Sequence, residues 1–145
     1  MFTLDAAFEG GSQALADLEL CAVRLQLDAR FPWLVLIPRV DAAREIEDLS
    51  PGDRSRLIEE IVLAGAAVRA MGEAAGRPVY KLNVGALGNI TPQLHVHIVG
   101  RRPDDAAWPG PVWGTVGITA YRADVLAAVR GAALRALGFR ASNSP

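Results

Sequence analysis

Apolar positions along the chain recur with two periods, near 2 and near 3.6, and the segments where each holds predict its elements. Residues 1–16 keep neither period and read as loop or a short helix around Gly10 and Gly11. From Leu18 the pattern turns strand-like, with clean alternation over 23–27, and residues 28–32 read as a turn ending at Pro32. Trp33, Leu34, Val35, Leu36 and Ile37 form an unbroken apolar run closed by Pro38, the pattern of a strand buried on both faces. A short turn between two such strands makes a hairpin.

Helical spacing begins after Ser50, which can cap, with Pro51 at the first helical position and Asp53 in the first turn. Leu57, Ile61, Ala64, Val68 and Met71 form one stripe and predict a helix over roughly 51–75. Residues 79–84 read as a third strand, 85–92 as a loop and 93–101 as a fourth strand. Residues 103–114 are too rich in Pro and Gly for either regular element. Leu126, Val129, Ala133 and Leu137 mark a second helix over 122–137, with Gly138 just past its end. Helices and antiparallel hairpins that do not alternate strictly predict an α+β fold. We expect a mostly antiparallel sheet of about five strands with two main helices, in a single domain over 1–145.

Composition narrows the partners more than the fold. Half the residues are apolar and 21% are charged, so the chain can build a core and no segment reads as disordered. The formal net charge of −1 argues against a general nucleic-acid binder, which needs a basic face, but permits a small phosphorylated ligand held by a few donors. Cys21 is the only cysteine, so neither an intrachain disulfide nor a cysteine metal cluster is available, and it reads as a small core residue. No apolar stretch reaches the length of a membrane span, and the first residues lack a secretory pattern. These features predict a cytoplasmic protein that does not insert in membranes.

Both histidines of the chain lie in Gln93-Leu94-His95-Val96-His97-Ile98-Val99. On a strand, Gln93, His95 and His97 share one face, spaced ~7 Å apart, while Leu94, Val96 and Ile98 face the core. Neutral imidazole is a nucleophile near neutral pH when one nitrogen is free and the other is held by an acceptor. A second histidine alongside can stabilise phosphate charge or assist a leaving group. Spacing alone also allows two partly buried histidines with no chemistry, or a His-x-His metal site needing a further carboxylate or water.

The segment resembles the signature strand of the histidine triad (HIT) superfamily, in which three histidines alternate with apolar residues. Register sets Gln93 on the first histidine, His95 on the middle one and His97 on the last. The resemblance continues through about residues 18–114. It includes the buried strand ending in Ile37-Pro38-Arg39, the polar loop before the signature, and Trp108-Pro109-Gly110 after it. It implies a homodimer with sheets side by side, and a nucleotide-phosphate hydrolase or nucleotidyl transferase acting at the α-phosphate. His95 would be the nucleophile forming a nucleotidyl-histidine, and His97 would contact phosphate or leaving-group oxygens. Dinucleoside polyphosphates and nucleoside phosphoramidates are the two implied substrate classes, so activity as a diadenosine polyphosphate hydrolase or as a phosphoramidase is expected. No cofactor is required, although Mg²⁺ can accompany a polyphosphate.

The resemblance also implies substrate contacts for Asn83, Asn89 and Thr91, and a ribose contact for Asp28, which as a turn aspartate also reads as structural. Arg101 is a further phosphate candidate, against the plain reading of a solvated charge leaving a strand. Trp33, Trp108 and Trp113 read as packing or subunit-contact residues. The departure from the family pattern is Gln93, whose amide donates and accepts but carries no transferable proton. Its main-chain carbonyl can still hold the second nitrogen of His95, so activity with altered rate or substrate choice is expected. The competing readings are a nucleotide-binding regulatory module with weak turnover, and the metalloprotein.

Overall fold

The computed structural model describes residues 1–140; residues 141–145, the end of the expected domain, lie outside them. Strands β1 (Ser12–Asp17), β2 (Cys21–Gln26), β3 (Trp33–Pro38), β4 (Lys81–Gly85) and β5 (Val96–Arg101) form one antiparallel sheet ordered β1-β2-β3-β5-β4. Helices α1 (Pro51–Ala74) and α2 (Ala123–Ala136) complete the expected α+β class, and α1 packs against β3, β5 and α2. Among the described residues, no helix is long and apolar enough to cross a membrane.

The apolar run became β3, buried at all six positions. Leu34 and Leu36 join the helix-side core with Val23, Leu25, Val96 and Ile98. Trp33, Val35 and Ile37 join a second cluster with Phe31 and Val99, covered by Phe2, Leu4 and Phe8 of the N-terminal segment. Both sheet faces are therefore closed, one by helices and one by the chain's own beginning.

Ser50 caps α1 as its sequence predicts, accepting a hydrogen bond from the Asp53 amide at 3.0 Å. A contact that the helical stripe did not announce comes from Glu60. Buried on α1, its carboxylate accepts the amides of Leu20 and Cys21 at 2.8 and 2.9 Å and ties the helix to the β1–β2 hairpin. Cys21 is buried, the core residue its sequence suggested.

Two element boundaries differ from expectation. Residues 1–16, read as loop or short helix, hold both a 3-10 turn (Ala6–Gly10) and strand β1. β1 is bulged between Ala14 and Ala16, so its burial does not alternate with period two and no strand signal reaches the sequence. At the other end, the ladder of β5 starts at Val96 and not at Gln93. The Leu94 amide instead donates to the Ala43 carbonyl at 3.0 Å, anchoring the approach to the strand to the loop after β3. Within β5, Gly100 lets the sheet close on its surroundings, since a Cβ there would lie 2.6 Å from Pro32 Cγ and 2.7 Å from Val79 Cγ2.

Candidate active site

Strand pairing positions the histidines. His97 pairs with Val35 of β3 and Gly85 of β4, so it stands on an interior strand and on the face opposite the helices. His95 immediately precedes the ladder, and its ring centroid lies 4.9 Å from that of His97, edge to face. The rings thus lean together, closer than strand spacing alone provides. Phe8 closes the outer side of His95 at 4.9 Å.

Hydrogen bonds fix which nitrogen of each ring carries its proton. The Nδ1 of His95 lies 2.7 Å from the Gln93 main-chain carbonyl oxygen. A carbonyl only accepts, so Nδ1 is protonated and Nε2 keeps its lone pair. His97 has the reverse arrangement: its Nδ1 accepts the Trp33 indole N–H at 3.0 Å, which leaves the proton on Nε2. Trp33 and Trp113 flank the His97 ring with centroids at 5.6 and 5.5 Å. Burial, and then the neighbouring His95, push His97 down to about 4, so it is neutral at physiological pH.

Both histidines line a cavity of about 430 Å³. Its apolar wall includes Phe31, Trp33, Ile90, Val112, Trp113 and Ile118, and its polar wall includes Gln26, Asp28, Arg30, Asn89 and Thr91. Asn89 and Thr91 therefore line the same cavity as the histidines. Gly88, at φ +71, reverses the loop that carries them. The indole Nε1 of Trp113 is buried without a hydrogen-bond partner, an unused donor on a cavity residue.

Asp28 also reaches the cavity, but its carboxylate is already engaged. It accepts the Arg30 guanidinium at 2.8 and 3.0 Å, and the amides of Arg30 and Thr119 at 3.1 and 3.3 Å. Burial alone would raise this carboxyl; the hydrogen bonds from Arg30 and Thr119 outweigh it and hold Asp28 below the usual carboxylate range. Arg30 in turn donates to the carbonyls of Val116 and Gly117. Asp28 and Arg30 together clasp the 116–119 segment over the cavity.

Three candidate residues do not line the cavity. Arg101 does not leave β5 for solvent; it is 1% exposed and forms a bidentate ion pair with Asp105 at 2.8 and 3.0 Å. Its remaining bonds go to Asn83 Oδ1 at 2.7 Å and to the Gly110 carbonyl at 2.8 Å. Both Arg101 and Asn83 are thereby committed to protein, in a cluster that organises residues 105–110. The Gln93 side chain is committed as well. Its Oε1 accepts the Asp5 amide at 2.9 Å while its Nε2 donates to the Thr3 carbonyl at 2.8 Å.

Trp33 and Trp113, which in the sequence read as packing or subunit-contact residues, both line the cavity, and Trp33 bonds His97. The available signal was in the apolar run itself. Within it, Trp33 and Val35 share a face by alternation, and pairing with the signature strand puts that face beside His97. Arg30 carried no signal beyond its place in a turn. For the metal reading, the described residues contain no group of three or more His, Cys, Asp or Glu side chains that could hold an ion.

Comparison with known proteins bears on the family and the fold. Residues 7–104 match the family model described as HIT domain. Among solved structures, the chain is similar to a histidine triad protein from Bradyrhizobium japonicum, at 39% identity and TM-score 0.85, covering 94% of this chain and 98% of that one. A histidine triad protein from Sinorhizobium meliloti is similar at 37% identity and TM-score 0.83, covering 92% and 96%. One from Marinobacter aquaeolei is similar at 39% identity and TM-score 0.82, with coverage of 94% and 96%. No curated protein matches the chain.

Proposed function

The chain belongs to the HIT domain family, and from that premise we propose that it hydrolyses a nucleotidyl bond at the α-phosphate through a covalent His95 intermediate. The observation that carries this reading is the 2.7 Å contact between His95 Nδ1 and the Gln93 carbonyl. It leaves Nε2 as the nitrogen able to attack. In the first step the Nε2 lone pair forms a bond to the α-phosphorus, and the bond from phosphorus to the leaving group breaks. In the second step water attacks the same phosphorus, the P–Nε2 bond breaks with its electron pair returning to Nε2, and the nucleotide leaves as the water's proton passes to solvent. In this reading the Nε2–H of His97 donates to a phosphate oxygen and stabilises the charge that builds there.

The apolar wall of the cavity suits a nucleoside, and Asn89 and Thr91 suit phosphate oxygens. Substrates of this reading are dinucleoside polyphosphates or nucleoside phosphoramidates. Mg²⁺, where used, enters with the polyphosphate as part of the substrate. We propose further that two copies pair through β4, whose outer edge is unpaired and carries the half-exposed Val84. A single mass near that of one chain in sedimentation equilibrium refutes the pairing.

The activity is tested by incubating the protein with diadenosine tetraphosphate and with adenosine 5′-phosphoramidate, while following adenylyl transfer to His95 by mass spectrometry. Turnover of at least one and an adduct on His95 are expected. No turnover and no adduct sinks the enzyme reading and leaves a nucleotide-binding module.

The hydrogen bonds of Gln93 also predict how its loss is felt. Gln93→Ala removes the side chain but keeps the carbonyl that holds His95. Turnover should fall by less than about a hundredfold, the scale of a modest misplacement. Amide hydrogen exchange at Asp5 should accelerate, because its acceptor is gone. A Gln93→Ala protein with unchanged exchange at Asp5 contradicts this role.

A further inference from the structure

We propose that Trp33 makes this site selective for nucleotidyl anhydrides over phosphoramidates, by fixing His97 as a neutral donor that cannot protonate a leaving group. The inference rests on the α-phosphate reading above and chooses between its two substrate classes.

The geometry begins with the 3.0 Å bond from the Trp33 indole N–H to His97 Nδ1. An indole nitrogen only donates, so Nδ1 must present its lone pair. Protonating His97 would set two N–H groups against each other inside a ring of Trp33, Trp113 and His95. The imidazole therefore stays neutral, with one proton, on Nε2. A neutral imidazole N–H donates a hydrogen bond well but is far too weak an acid to give the proton up. The direction of the His97 titration, down to about 4, agrees with this arrangement.

The leaving group then decides the rate. When His95 attacks an anhydride, the P–O bond breaks with its electron pair on a phosphate oxygen, which is stable as an anion and needs no proton. When it attacks a phosphoramidate, the P–N bond breaks toward an amide anion, so the nitrogen must receive a proton as it departs. The other charged groups of the cavity do not supply one. Asp28 is held ionised by Arg30, and a guanidinium keeps its protons. General acid assistance is worth about 10²–10⁴ in rate, so the site forgoes that factor for P–N substrates only.

The wild-type protein is tested first by long-range ¹H–¹⁵N correlation on ¹⁵N-histidine-labelled material. A neutral Nε2–H tautomer for His97 is expected at neutral pH, and an Nδ1–H tautomer or an imidazolium overturns the proposal whether or not any substrate turns over. Next, kcat/KM is compared for diadenosine tetraphosphate and adenosine 5′-phosphoramidate, with the anhydride expected ahead by on the order of a hundredfold. Parity, or a lead for the phosphoramidate, overturns the selectivity while leaving the nucleotidyl-hydrolase reading intact. Turnover of neither substrate, without a His95 adduct, removes that reading and this inference together. Trp33→Phe, which keeps the aromatic packing and deletes the donor, should release the His97 tautomer and narrow the anhydride preference. A released tautomer with an unchanged preference overturns the link between them.

Discussion

His95→Ala is expected to reduce turnover of a nucleotidyl substrate by about a thousandfold or more, with no adenylyl adduct on the protein. The argument is one of supply. The chain contains two histidines, and the other has its Nδ1 occupied by Trp33 and its Nε2 protonated, so no second imidazole can take over the attack. Alanine also leaves the half-buried Gln93 carbonyl without its partner, which costs about 1 kcal/mol and lowers Tm. Loss of activity must therefore be separated from loss of fold. His95→Asn does this, because its amide can still donate to the Gln93 carbonyl but offers no nucleophilic nitrogen. Both variants should lack the adduct in single-turnover experiments, and the asparagine variant should melt closer to wild type. An asparagine variant that turns over at a tenth of the wild-type rate would mean that His95 is a scaffold and not the attacking group.

Arg101→Ala should be the most damaging substitution for stability, costing about 3–5 kcal/mol in denaturant unfolding. Both members of the Arg101–Asp105 pair are almost wholly buried, at 1% and 3% side-chain exposure. Removing the cation strands a carboxylate in the interior and leaves the Asn83 Oδ1 and the Gly110 carbonyl without that donor. It also removes the guanidinium from between the Phe31 and Trp108 rings, 5.8 and 5.7 Å away. Acid should expose the same pair. Burial alone would raise the Asp105 carboxyl, but Arg101 and the amides of Arg102 and Ala107 bring it down to about 2. Its folded value lies below its unfolded one, so its contribution is complete above the ordinary carboxylate range and fades as pH falls toward 2. In Arg101→Ala the guanidinium's share of that depression is lost while the amides' share remains, and the acid-unfolding midpoint should move to higher pH. An unchanged midpoint would place the stability of the 105–110 segment elsewhere.

How much of this was legible depended on whether a residue's partner shared its local pattern. The period-two run of 23–27, the apolar run of 33–37 and the capped stripe after Ser50 each carry their own signal, and β2, β3 and α1 appear where they predict. The position of His95 and His97 on one face followed from alternation, whereas Asn89 and Thr91 were singled out by the family resemblance of the loop beside them. Interactions spanning long stretches of sequence left no trace. Gln93 is bonded to residues 88 and 90 positions away, and Arg101 is tied to Asn83 across two strands. Arg101 was a phosphate candidate because a free charge and a paired one read alike in sequence, and Asn83 one because the family resemblance implied it; the bond between them is visible in neither. β1 was hidden for a different reason, since its bulge removes the periodicity by which a strand is recognised.

The two bonds from Gln93 have a practical side. Its amide meets an N–H and a C=O as a neighbouring peptide group would, so the beginning of the chain is spliced to the approach of the nucleophile's strand. Met1 is two residues from this splice, and its amino group pairs with Asp41 at 3.2 Å on the surface. The ion pair itself is worth little. That splice holds residues 3–5 beside the approach to His95, and Phe8, a few residues on, closes the outer side of the same ring. A substitution at Thr3 or Asp5 therefore acts on the site from outside it, and such variants are practical controls for the kinetic comparisons above.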